Sequence, residues 1–160
     1  MGTPGEMAER TWRGCVLPDD LLYAVEHHVW VRMAGDEVVL GMTDVAQTLG
    51  GRLVQVTWRD PGARVRAGRP AAVVESAKWV GPFVSPVTGE VVANNRIAFD
   101  RDPAVANRDP YGEGWLYRVR PTAGGLDRTD LLVGDEAYER YREFIEANDV
   151  RCMRCADPAP

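Results

Sequence analysis

Ala71-Ala72-Val73-Val74-Glu75-Ser76-Ala77-Lys78-Trp79-Val80, running on to Phe83-Val84-Ser85-Pro86-Val87-Thr88-Gly89-Glu90-Val91-Val92, is the stretch around which this chain of 160 residues is arranged. Its β-branched runs, bounded by Pro and Gly, read as strand, tight turn, strand. The turn puts Lys78 at a tip, with its long stem and amine projecting into water. Lys78 is the sole lysine, against 18 arginines. A lone lysine on a turn is ordinarily no more than a solvated charge. Its context decides whether it is more.

On the N-terminal side, residues 1–14 are polar and contain Gly and Pro, so a flexible, loosely attached segment is expected there. The main body is expected over 15–150, and a Cys-containing tail over 151–160. His27-His28-Val29-Trp30-Val31-Arg32 alternates enough to be a strand, and the two histidines read as ordinary polar residues at its start. Ala34-Gly35-Asp36-Glu37 is a turn, and Val38–Met42 returns as the partner strand. Thr43 is placed to cap a short helix over Asp44–Leu49, which Gly50-Gly51 ends. Leu53–Trp58 reads as a half-buried strand, followed by a turn at Arg59-Asp60-Pro61-Gly62.

Beyond the lysine, Glu90–Ala93 is a further strand. Asp102-Pro103 reads as the cap and first residue of a single helical turn. Trp115–Arg120 alternates again and closes the β region at Pro121. The period then changes to that of a helix: Ala137, Tyr138, Tyr141, Phe144 and Ile145 form one apolar stripe, with Asp135 as its expected cap.

Hydrophobic content of 45% and charged content of 27% are ordinary for a globular domain. A net charge of −5 argues against nucleic acid and suits docking onto basic faces of partner proteins. No apolar run approaches membrane-spanning length. Met1–Arg10 has no apolar signal core, and Glu6 occupies the place where a myristoylation motif needs Ser or Thr. A cytoplasmic location is the expectation. Cys15 stands alone, whereas Cys152 and Cys155 form a C-x-x-C between Arg151 and Arg154. Three readings stay open for these cysteines: reduced thiols, redox-active thiols favoured by the basic neighbours, or three ligands of a zinc ion completed by His27 or His28.

The lysine stretch resembles the attachment site of lipoyl-carrier proteins, and in particular the H protein of the glycine cleavage system. Glu75 lies three residues before Lys78 and Gly62 sixteen before, as in lipoyl domains, where they suggest recognition by the lipoate ligase. The H-type pattern E-S-x-K, followed by P-x-x-G-E starting eight positions after the lysine, is met by Glu75-Ser76-Ala77-Lys78 and Pro86-Val87-Thr88-Gly89-Glu90. Biotin carriers have Met on both sides of the lysine; Ala77 and Trp79 stand there instead. Further matches are His28-Val29-Trp30-Val31, Gly41-Met42-Thr43-Asp44-Val45-Ala46-Gln47 and Asp109-Pro110-Tyr111-Gly112-Glu113-Gly114-Trp115-Leu116, so the resemblance spans residues 21 to 146. It implies a mainly β, lipoyl-domain-like hybrid barrel-sandwich with short helices and a C-terminal helix. It also implies no catalysis, lipoate bound covalently on Lys78, and lipoate ligase and dihydrolipoamide dehydrogenase as partners.

Two departures bear on the cargo. The family has a Glu in H-E-W and an Asp four residues after the lysine, both of which help hold a cationic aminomethyl-loaded arm. Val29 and Pro82 occupy those positions, and Gly50-Gly51-Arg52 puts a base where an acid is usual. With the cysteines near both ends and the opening Gly14-Cys15-Val16-Leu17-Pro18-Asp19, these departures resemble the lipoate-binding proteins of sulfur oxidation, which serve a heterodisulfide-reductase-like complex. Poor service to glycine decarboxylase and aminomethyltransferase is then expected. Service to those two enzymes, or an unmodified thiol module using Cys152 and Cys155, are the alternatives.

Overall fold

The computed structural model describes residues 9–154. In chain order its strands and helices are β1 (Glu9–Trp12), β2 (Cys15–Pro18), β3 (Leu22–Ala24), β4 (Val29–Ala34), β5 (Glu37–Met42), α1 (Asp44–Gly50), β6 (Leu53–Thr57), β7 (Arg64–Val65), β8 (Arg69–Ser76), β9 (Val80–Ser85), β10 (Gly89–Asn94), α2 (Arg96–Arg101), α3 (Val105–Arg108), β11 (Tyr117–Pro121) and α4 (Gly134–Ala147). Three antiparallel sheets result: β1-β2, the six-stranded β3-β4-β5-β11-β10-β7, and the three-stranded β6-β8-β9. No helix of the described residues is long and apolar enough to cross a membrane.

β4 shows why its sequence is apolar almost throughout. Successive side chains of a strand point to opposite faces, and both faces here are covered. Val29 and Val31 enter a core shared by the two larger sheets, with Leu40, Val74, Phe83 and Tyr117. Trp30 turns the other way, into a second core with Tyr23, Tyr141 and Ile145. Gly41 lies opposite Trp30 in the ladder, and a side chain there would collide with the indole. The helix α4 supplies the cover by burying Ala137, Tyr141 and Ile145, spaced four apart along one face. Full burial of a side chain such as Ile145 is worth about 1.5–3 kcal/mol.

Local signals account for α1. The Thr43 hydroxyl accepts the Ala46 N–H at 3.2 Å, and Gly51 at φ 79° ends the helix. Tyr111 bolts α1 to β2: its hydroxyl accepts the Asp44 N–H at 2.9 Å and donates to the Val16 carbonyl at 2.6 Å. Burial pushes that hydroxyl's pKa well above its ordinary value. Tyr111→Phe leaves both backbone groups unpaired, and a loss of about 1–3 kcal/mol is expected in urea denaturation. An unchanged midpoint would show that water replaces the hydroxyl.

Several sequence expectations are corrected. Part of the segment expected to be loosely attached, 1–14, is held in a sheet: Glu9–Trp12 pairs with Cys15–Pro18, and residues 1–8 lie outside the described residues. Arg13 and Gly14, at φ 48° and 79°, make the two-residue turn that such a hairpin favours. Residues 151–154 are likewise fixed: Cys152 N–H donates to the Arg13 carbonyl at 3.0 Å, and Gln47 Nε2 donates to the Met153 carbonyl at 2.8 Å. A helix, α2, precedes Asp102-Pro103, and these two residues open a turn into α3, with the Asp102 carbonyl accepting the Val105 N–H at 3.0 Å; the cap residue of α3 itself is Ala104. Asp102 still accepts the Ala104 N–H at 3.0 Å. Asp135 does not cap α4; the cap residue is Val133, and the Asp135 carboxylate pairs with Arg10 of β1.

Candidate functional site

β8 and β9 are joined by three residues, Ala77, Lys78 and Trp79. The ladder runs to Glu75 opposite Val80, and the Ser76 N–H then donates to the Trp79 carbonyl at 2.8 Å. The Ser76 side chain closes the turn from within. Its hydroxyl accepts the Lys78 N–H at 3.3 Å and donates to the Trp79 carbonyl at 3.3 Å. Ser76 is buried, whereas Glu75, Ala77 and Lys78 are exposed. No ion pair joins Lys78 to another described residue. The sequence led one to expect a stem standing clear of the surface, and it does not. It leans over the end of α1, where a Cβ added at Gly51 would lie 2.7 Å from Lys78 Cε and 3.4 Å from Nζ. Gly51 is favoured by its backbone angle of φ 79°, whereas the exposed lysine stem could swing aside from a Cβ there.

Beside the turn is a cavity of about 250 Å³, whose walls include His28, Met42, Leu49, Trp79, Pro82 and Phe83. It is below the volume of pockets for drug-sized molecules, and its shape and lining suit a slim apolar chain. His27 and His28 are its ionisable lining groups; no carboxylate lines it. His28 ends a short 3-10 turn at φ 56°, with its ring 4.8 Å from that of Phe144. It is thus a half-buried ring in a left-handed position, not an ordinary polar residue at a strand start. Burial, and after it the neighbouring His27, lower its pKa. A larger cavity of about 650 Å³ lies between residues 24–27 and α4, and no residue of the lysine turn lines it.

The other singled-out residues are dispersed. Gly62 sits in the β6–β7 loop at φ 93°, with its N–H bonded to Val91 O at 2.8 Å, so its direct role is a turn that glycine accommodates. Val29 is 1% exposed and belongs to the shared core. Pro82 alone of the two departed positions lines the cavity. Cys15 is not alone: it is disulfide-bonded to Cys152, 137 residues away, so of the readings left open the one with these thiols reduced is not the arrangement seen. The β1–β2 hairpin brings Cys15 against the segment beyond α4. Gly14 lets the two approach, since a Cβ there would lie 2.6 Å from the Cys152 carbonyl oxygen. Cys155 lies outside the described residues. Among the described residues no cluster could hold a metal ion. Sequence reasoning missed the cavity itself. Its one local signal was Gly81, whose missing side chain leaves room for Trp79.

An exposed lysine on a tight turn, carried by a small sheet packed on a larger one, defines a barrel-sandwich domain of the carrier kind, with an apolar groove beside the lysine. The chain belongs to the glycine cleavage H-protein family, whose model matches residues 21–145. It is 42% identical over 149 residues to glycine cleavage system H protein 2 of Aquifex aeolicus, covering 91% of this chain and 92% of that one. It is 37% identical over 143 residues to the probable glycine cleavage system H protein 2 of Sulfolobus acidocaldarius, covering 88% and 95%. The crystal structure of a glycine cleavage system H protein from Mycobacterium marinum superposes with a TM-score of 0.68 at 36% identity, covering 84% of this chain and all of that one. H proteins are non-catalytic carriers of lipoate, held covalently on a lysine. The apolar groove beside Lys78 fits such an arm.

Proposed function

We propose that this chain is a lipoyl carrier with lipoate amide-linked to Lys78, working in the cytoplasm between glycine decarboxylase and aminomethyltransferase. A lipoate ligase loads it, and a dihydrolipoamide dehydrogenase reoxidises it. The observation that carries this reading is the tight three-residue hairpin turn presenting the chain's sole lysine beside an apolar groove. The Lys78 amine supplies the amide nitrogen and loses its charge in doing so. Ser76 holds the backbone of the turn, so that the anchor is fixed while the arm moves. A fixed anchor raises the effective concentration of its cargo at a docked partner. When bound, lipoate supplies a dithiolane whose sulfurs accept electrons or a carried group. Glu75, exposed on β8 next to the turn, is the carboxylate a ligase would read, and Gly62 acts through its turn.

One observation favours a second reading, an uncharged, sulfur-derived cargo passed to a heterodisulfide-reductase-like complex. The groove has no carboxylate to hold a cationic one. The two readings separate in reconstitution of the lipoylated protein with glycine decarboxylase and aminomethyltransferase. Turnover close to that of an established H protein supports the first and sinks the second. Near-zero turnover, partly restored by Pro82→Asp, does the reverse. Val29→Glu is unsuited to this test: Val29 is 1% exposed, and an unpaired carboxylate there would cost several kcal/mol.

A further inference from the structure

Trp79 follows the anchor directly, and its ring is held in a slot between two glycines. A Cβ added at Gly81, two residues along the same strand face, would fall inside the indole. Across the ring, a Cβ at Gly50 would lie 3.7 Å from Trp79 Cε3. The indole therefore spans from β9 to the end of α1, and it forms one wall of the apolar groove. It is 40% exposed, a large apolar surface left beside an attachment point. Lys78 leans on Gly51, the next residue of the same helix end. A chain extended from Lys78 Nζ starts next to the ring.

We propose that Trp79 is a positioning residue that seats the lysine-borne arm in the groove and shields its sulfurs between partners. This rests on the carrier reading. The chemistry suits it: the ring offers an apolar face, and thioether or disulfide sulfur packs favourably against aromatic rings. Met42 and Phe83 continue the same kind of lining further in. Gly81 matters only because it leaves space for the ring. Replacing it should act as though the tryptophan itself had been removed.

The test uses full-length protein lipoylated on Lys78, with the gain in mass checked first. After reduction, the arm's thiols are alkylated with iodoacetamide, and the modification is timed on the peptide that carries Lys78. Trp79→Ala should speed alkylation about tenfold, the factor that a contact of about 1.4 kcal/mol confers. Gly81→Ala should match it with the tryptophan still present. Tryptophan emission supplies a readout independent of reduction: lipoylation changes it in the wild type but not in Trp79→Phe. Equal alkylation rates in all three proteins, with an emission change that survives Trp79→Phe, would overturn the role of Trp79 and leave the carrier reading standing. Absence of any mass gain in the wild type would overturn both.

Discussion

Lys78→Arg abolishes lipoylation completely: co-expressed with a lipoate ligase and supplied with lipoate, the variant keeps the intact mass of the bare chain, while the wild type gains one lipoyl group. The substitution preserves stem length and positive charge. It removes the nucleophile, because a guanidinium stays protonated and delocalised at any accessible pH. The side chain is exposed and the turn is held by Ser76, so the hairpin itself is not disturbed. No second lysine can substitute. The same experiment has an electrophoretic readout, since the amide removes one positive charge from a chain of net charge −5. A mass gain that persists in Lys78→Arg could reside only on the N-terminal amine, and the assignment of the site would fail.

The second large effect is on stability. Cys152→Ser opens a cross-link that spans 137 residues of sequence. Chain entropy assigns about 5 kcal/mol to a loop of that length, near the top of the measured range for disulfides. For a chain of this size that corresponds to a fall in melting temperature of roughly 10–20 °C. Cys152 is the better position to change, because Cys15 is fully buried and a polar hydroxyl there would add its own penalty. Wild-type protein under strong reductant should melt with the variant. If oxidised wild type and Cys152→Ser melt together, the bond contributes nothing. The expected damage has a location as well: residues 151–154 lose their tie to β2 and with it their hold on Gln47, Thr48 and Asp44 of α1. Because α1 forms one side of the groove, arm shielding should loosen along with stability.

The features legible in the sequence were local ones. The lysine hairpin could be read because Val73-Val74 and Val80 flank a short polar turn, and Pro86 and Gly89 mark the boundary between β9 and β10. Thr43 and Gly51 announced both ends of α1 through capping chemistry that depends on only a few neighbours. α2 gave no comparable signal: its six residues bury only Phe99, too little for a helical period to emerge. The short strand β1 was hidden for a different reason. Its stability comes from pairing with β2 and from the Arg10 contacts to Asp19 and Asp135, distant groups that composition does not reveal. The pairing of Cys15 with Cys152 belongs to the same class, since three cysteines allow more than one connection and sequence spacing does not choose among them. The groove was the least legible feature. His28, Met42, Leu49, Trp79 and Phe83 come from separate elements, and only tertiary packing brings them to one cavity.

The tie between the two ends also sets how this domain bears force. A pull applied from both sides of the pair runs through the covalent bond between Cys15 and Cys152, and the ladders of the two larger sheets lie outside the loaded path. Outside that bond, the described residues that can lengthen are 9–14 and 153–154. β1 peels from β2 in the process, while β4 and the β8–β9 hairpin remain slack. Lys78 therefore keeps its geometry under tension along the chain, and a machine that threads the protein from one end meets a closed loop before it reaches the carrier turn.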